Sequence, residues 1–193
     1  MTTVRIAPAE PKHAEELTAL MQDSAAYRGQ YATILHEYQV TAGYLNRHPT
    51  FRAEANTSTT TLGFYSLITH PPELDLLFVA NEAQGLGIGA KLIEHMLTQA
   101  REQGIQSIKV VSHPPSEGFY TRMGARKVGV IPARPPKVTW ERPQLVFTIA
   151  DTQTLTENPA PQTRTQAASR SGTHPDARHQ APAPHPPATP ETP

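Results

Sequence analysis

Cysteine is absent from all 193 residues. That excludes disulfides, thiolate metal sites and a cysteine nucleophile, and it fits a reducing compartment. An excess of one charge is absent too, since Lys+Arg and Asp+Glu number 17 each. The balance calls for neither a nucleic-acid partner nor an acidic membrane surface. No apolar run approaches the roughly 18 residues of a membrane span, and the first residues lack a basic-then-apolar signal pattern. The plain expectation is a cytoplasmic protein. Aromatic residues stop at Phe147, and from Thr154 onward Leu155 is the one large aliphatic side chain. Nine of the 20 prolines fall in the last 43 residues. A stretch such as Ala181-Pro182-Ala183-Pro184-His185-Pro186-Pro187 cannot bury enough apolar surface to offset its ordering entropy. Residues 151–193 are therefore expected to be a disordered tail, and residues 1–150 one folded domain with room for a full core. Its histidines, His174, His179 and His185, have no metal-ligand spacing, so no metal is expected.

The folded part begins with a short alternating run, Val4-Arg5-Ile6, broken by Pro8 to Pro11. Lys12 to Ser24 places Ala14, Leu17, Leu20 and Met21 on one helical face. A second helix is expected over Tyr31 to Tyr38, and Thr41 is placed to cap a short helix through Leu45. The mixture of Tyr27, Arg28, Tyr31, His36, Glu37 and Tyr38 reads either as an ordinary helix pair or as a pocket wall. Thr50–Ala55 and Thr59–Ile68 predict an antiparallel hairpin around Asn56-Thr57-Ser58. After His70-Pro71-Pro72, the apolar run from Glu73 to Ala80 predicts a central, buried strand. Ile88, Leu92, Ile93, Met96, Leu97 and Ala100 then form one helical face, with His95 on the solvated side and Gly104 as the stop. Ser107–Val111 is a further core strand, parallel to its predecessor through a right-handed crossover. A short helix over Pro115–Gly124, a strand over Ala125–Ile131, a proline-rich loop over Pro132–Pro143 and a last strand over Gln144–Ile149 complete a mixed α/β sheet.

The informative stretch lies between the central strand and the long helix: Gln84-Gly85-Leu86-Gly87-Ile88-Gly89-Ala90. Glycines at alternate positions before a helix start leave N–H groups free and side chains out of the way, which suits an anion, commonly a pyrophosphate. A dinucleotide fold would need G-x-G-x-x-G and an acid after the next strand. Here the spacing differs, and the next strand ends Val110-Val111-Ser112-His113. A triphosphate loop would need Gly-Lys-Ser/Thr, which is absent. A purely structural role for the glycines in helix–sheet packing stays open on spacing alone.

Gln84 to Gly89 resembles the Gln/Arg-x-x-Gly-x-Gly/Ala signature of the GNAT N-acetyltransferase superfamily, with Gln84, Gly87 and Gly89 at the matching positions. Phe119-Tyr120-Thr121-Arg122-Met123-Gly124-Ala125 resembles the family's later Phe-Tyr-x-x-x-Gly-Phe/Ala segment, and the element order agrees over roughly residues 3–150. The resemblance implies a GNAT-type acyl-CoA N-acyltransferase fold: a mostly antiparallel twisted sheet with a splayed parallel central pair and flanking helices. It implies transfer of the acetyl group of acetyl-CoA, a co-substrate, to a primary amine of a small molecule or protein by direct attack in a ternary complex. Backbone from Gly85, Leu86, Gly87, Ile88, Gly89 and Ala90 would then cradle the pyrophosphate. Phe78, Val79 and Ala80 would pair with the pantetheine arm, and Gln84 would support the loop. Tyr120 stands at the family's general-acid position. Ser116 stands near where many relatives carry Asn, which leaves a side-chain contact there in doubt. For the base, Glu73 starts the central strand, with Asp75 on its face by strand alternation. His113 is the alternative, and no dedicated base is a third. A monomer or homodimer is expected, and a non-catalytic acyl-CoA-binding or regulatory module is the rival reading.

Overall fold

The computed structural model describes residues 4–35, 38–55 and 60–149, the side chain of Gln30 aside. His36, Glu37, the expected turn Asn56-Thr57-Ser58 and the tail 151–193 with its three histidines lie outside the described residues.

Seven strands form one sheet: β1 (Val4–Pro8), β2 (Thr50–Ala55), β3 (Thr61–Thr69), β4 (Pro72–Val79), β5 (Ser107–Val111), β6 (Arg126–Ile131) and β7 (Arg142–Thr148). Their spatial order is β1-β2-β3-β4-β5-β7-β6. Every pairing is antiparallel except β4 with β5. The expected mixed sheet, with β4 in the middle, is what forms. Helices α1 (Ala14–Gln22), α2 (Ala42–Arg47), α3 (Ile88–Glu102) and α4 (Glu117–Arg122) flank it.

Each face of the sheet has its own core. On one face Leu92, Ile93 and Met96 of α3 pack with Leu74, Ile108, Leu145 and Phe147. On the other, Leu17 and Met21 of α1 and Leu45 of α2 pack with Phe64, Leu76 and Phe78. Full burial of such side chains stabilises by about 1.5–3 kcal/mol each. Thr41 caps α2 as expected, its hydroxyl accepting from Tyr44 N at 3.1 Å.

Two irregularities decide where the site lies. The first is a bulge: Ser66 faces Leu76 and Leu67 faces Leu74, so Asp75 is the extra residue of β4. The bulge turns Leu74 and Leu76 to opposite faces, although they are two apart. The second is the brevity of the parallel pair. β4 and β5 are in register at Glu73–Lys109 and Leu74–Val110 only. Past Leu74 the strands part, and β4 offers an edge from Asp75 to Val79.

Several expectations need correction. Pro8 ends β1 instead of breaking it, because β1 pairs only with β2 and an edge strand tolerates a missing N–H. The helix expected over Tyr31–Tyr38 is a tighter 3-10 helix over Gly29–Ile34. Its turns close through Tyr31 N to Arg28 O and Leu35 N to Ala32 O, and aromatic contacts of Tyr31 override helical spacing. His95 is not simply solvated. Its Nδ1 lies 2.9 Å from Tyr65 Oη, and its ring packs 4.7 Å from that of Phe51. β7 starts at Arg142, inside the stretch expected to be loop.

Candidate active site

The parting strands open a cavity of about 450 Å³. It brings together the predicted Glu73, Phe78, Val79, Gln84, Ser116 and Tyr120. Asp75 and His113 line it too. Ala80, Gly85, Leu86, Gly87, Ile88, Gly89 and Ala90 lie outside its lining, in the loop after β4 and the first turn of α3.

That loop has the features an anion site needs. Gly85 and Gly87 hold φ of +77° and +78°, left-handed values that glycine adopts without strain. The first helical bond of α3 runs from Lys91 N to Gly87 O at 3.1 Å, so the N–H groups of Ile88, Gly89 and Ala90 precede the ladder. No side chain caps the helix, and no acid lies in its first turn. Gly89 touches α4: a Cβ there would sit 3.1 Å from the Phe119 ring. Gln84 Nε2 donates to Val79 O and Asn81 Oδ1, both at 3.4 Å, which ties the loop back to β4.

Asn81 locks the opposite wall. Its Oδ1 accepts from Ala25 N at 2.9 Å, and its Nδ2 donates to Asp23 O at 2.8 Å. This fixes the turn after α1 that carries Tyr27. The Tyr27 ring stacks on His113 at 4.4 Å and leans on Phe78 at 5.5 Å. Burial pushes its phenol up to about 12.

The groups able to move protons differ in state. Tyr120, on α4, is buried. Burial, and then Tyr27, push its phenol above the ordinary value of 10, so it keeps its proton throughout the neutral range. His113 follows β5 and is 6% exposed. Its Nε2 has no hydrogen-bond partner among the described residues. Burial lowers its pKa below 6.5, outweighing a hydrogen bond with the Ala26 backbone, so the ring is neutral at pH 7. Glu73 is engaged: Lys109 Nζ donates to its Oε2 at 3.0 Å. Asp75 Oδ2 accepts from Tyr44 Oη at 2.5 Å and Tyr38 Oη at 3.2 Å. With that phenol's one proton on Asp75, Ser66 Oγ donates to Tyr44 Oη at 2.9 Å. Glu73 and Asp75 share the cavity side, as strand alternation predicts for them. Sequence reasoning missed Arg142, which lines the cavity from the start of β7. It stood in a stretch with no readable period.

The arrangement comprises an uncapped helix start, a free strand edge, a protonated phenol and a neutral imidazole. It can hold an anionic, amide-bearing chain and shuttle protons beside it. The sequence matches a family model described as an acetyltransferase (GNAT) domain over residues 16–131, more than half of the chain. A 5-NmdU N-acetyltransferase of Pseudomonas phage PaMx11 is 37% identical over 71 residues, 35% of this chain and 51% of that protein. The chain thus spans about half the length of the curated relative it matches. An N-acetyltransferase from Staphylococcus aureus Mu50 superposes with a TM-score of 0.60 at 15% identity, covering 77% of this chain and 100% of that one. The ribosomal-protein-S18-alanine N-acetyltransferase of Escherichia coli superposes with a TM-score of 0.58 at 14% identity, covering 81% and 100%. At such identities the structures speak for the fold.

Proposed function

The chain belongs to the GNAT acetyltransferase family and is an acyltransferase, and from that premise we propose that it transfers the acetyl group of acetyl-CoA to a primary amine. The observation that carries this reading is the cavity itself. It joins the β4 edge to Tyr120 and His113 beside an open helix start.

When bound, acetyl-CoA supplies an activated thioester. The chain's residues do the rest. The N–H groups of Ile88, Gly89 and Ala90 hold the pyrophosphate, helped by the positive end of α3. The edge of β4 through Phe78, Val79 and Ala80 pairs with the pantetheine amides. Ser116 lies at the α4 side of the cavity.

At pH 7 only on the order of 0.1% of a free alkyl amine is neutral. We place His113 Nε2 as the group that takes the amine's proton, because it is neutral and uncommitted. The sequence pointed first to Glu73. The Lys109 pair occupies one of its oxygens and makes it the weaker candidate. Tyr120 Oη holds the proton that the departing thiolate requires. Starting from the ammonium form, the nitrogen loses two protons, one before attack and one as the amide forms; one of them replaces the proton Tyr120 gives up, and the other is released, one net per turnover.

The acceptor is a small-molecule or protein amine. The name of the phage relative adds one candidate, 5-NmdU, to any panel. A cytoplasmic setting is part of the proposal and rests on composition alone. Among the described residues no helix is long and apolar enough to cross a membrane, and no cluster of His, Cys, Asp or Glu could hold a metal.

Calorimetric titration with acetyl-CoA tests the reading. Wild type is expected to bind, and Gly87→Ala to bind at least tenfold more weakly, because φ of +78° strains any residue with a Cβ. The absence of binding by wild type would overturn the proposal. Equal binding by the variant would overturn the loop's role.

A further inference from the structure

Arg142 is the cation the proposed reaction does not use. It is the first residue of β7, it lines the cavity, and its neighbour Pro143 accepts from Ser112 N at 2.9 Å. Its backbone therefore lies beside the end of β5, and its side chain lines the same cavity as His113. Its Nε is buried without a hydrogen-bond partner among the described residues. Two residues before it, Trp140 is 8% exposed and its Nε1–H is likewise without a partner. His113 Nε2 completes a set of three buried nitrogens that no protein group satisfies.

The nearby carboxylates are committed elsewhere. Glu73 holds Lys109, and Asp75 holds Tyr38 and Tyr44. Arg142 forms no salt bridge among the described residues; partial burial and then the positive charge of Arg134 lower its pKa, while Glu73 pulls it up. A partly desolvated guanidinium without a paired carboxylate is costly, and its fork suits a carboxylate or phosphate held by two hydrogen bonds.

We propose that Arg142 is an acceptor-recognition residue: the amine this enzyme acetylates carries a carboxylate or phosphate group, which Arg142 binds at the β7 end of the cavity with Trp140 beside it. The proposal rests on the acetyl-transfer reading for the word acceptor, while the anion site stands on the geometry alone.

Trp140 is the chain's one tryptophan; its ring meets Tyr31 at 4.8 Å, and Tyr31 meets the cavity residue His113 at 5.5 Å, so its fluorescence reports on this corner through Tyr31. Wild-type protein is titrated with inorganic phosphate and, separately, with acetate, each against sodium chloride at matched ionic strength. A saturable emission change with at least one anion is expected, weakened at least tenfold in Arg142→Gln and less in Arg142→Lys, which keeps charge without the fork. No anion-specific change in wild type overturns the proposal, as does a change that persists in Arg142→Gln. The two anions separate a carboxylate from a phosphate acceptor.

Thiol release from acetyl-CoA with glycine against glycinamide, and O-phosphoethanolamine against ethanolamine, then reads selectivity. The charged member of one pair is expected to have at least a tenfold higher kcat/KM, and Arg142→Gln to bring that ratio toward one. A wild-type ratio near one overturns the acceptor assignment. If no amine is turned over, acetyl transfer fails while the fluorescence titration still decides the anion site.

Discussion

At the scale of single residues, the groups proposed as proton donor and proton acceptor, Tyr120 and His113, are both buried. The same desolvation acts oppositely on them: it raises the Tyr120 phenol and lowers the His113 imidazole. Both are held in their neutral forms at pH 7, one keeping a proton and one able to take one. His113→Gln should lose roughly 10²-fold in kcat/KM at pH 7. In wild type, kcat/KM should be flat above pH 6.5 and fall only below it, since the folded-state pKa of His113 lies under the ordinary 6.5. Steady-state rates between pH 5 and 8 check this. If the acidic limb vanishes in Glu73→Gln and survives in His113→Gln, Glu73 is the base after all. Tyr120 was legible in the sequence because it sits in a local motif. The choice between Glu73 and His113 was not, because Lys109 lies 36 residues from Glu73 and the Tyr27–His113 stack joins residues 86 apart. No spacing rule reports contacts so distant in sequence.

At the scale of elements, the site is a consequence of two strands that pair briefly and part. The amphipathic face of α3, the β2–β3 hairpin and the glycine stops were all readable, because they depend on local period and on backbone freedom. The bulge at Asp75 was not, since an extra residue in a strand of Leu-Asp-Leu-Leu-Phe-Val leaves the apolar run intact. It does change the outcome, turning Leu74 and Leu76 to different faces. The start of β7 was hidden for another reason: Pro143 argues for loop by propensity, yet tertiary pairing places it in a strand. Gly63 is a further test at this scale. A Cβ there would lie 2.7 Å from Phe78 O, inside any real contact distance. Gly63→Ala should therefore push β3 away from β4 and cost roughly 1–3 kcal/mol of stability, measured by urea unfolding. An unchanged midpoint would contradict the close approach of these strands.

At the scale of the whole molecule, two buried histidines and one half-buried one tie stability to pH. His13, His95 and His113 each have a pKa lowered first by desolvation. As pH falls through 6.5 the unfolded chain gains protons that the folded chain refuses, so stability declines from there until each folded-state pKa is passed. Thermal unfolding from pH 7.5 to 5 should show Tm falling below about 6.5, with a shallower fall in His113→Gln. Among the described residues the last strand ends at Thr148 and the last buried core residue is Ile149; from the proline-rich composition of residues 151–193, deleting them should leave Tm and turnover unchanged. The central proposal is catalytic: one cavity would bring an acetyl thioester, an amine and Tyr120 together. Amine-dependent release of free thiol from acetyl-CoA tests it most directly, comparing wild type with Tyr120→Phe across the amine panel. Release is expected to require both substrates and to fall roughly 10²-fold or more in the variant, with acetyl-CoA affinity retained. Undiminished release by Tyr120→Phe would contradict it.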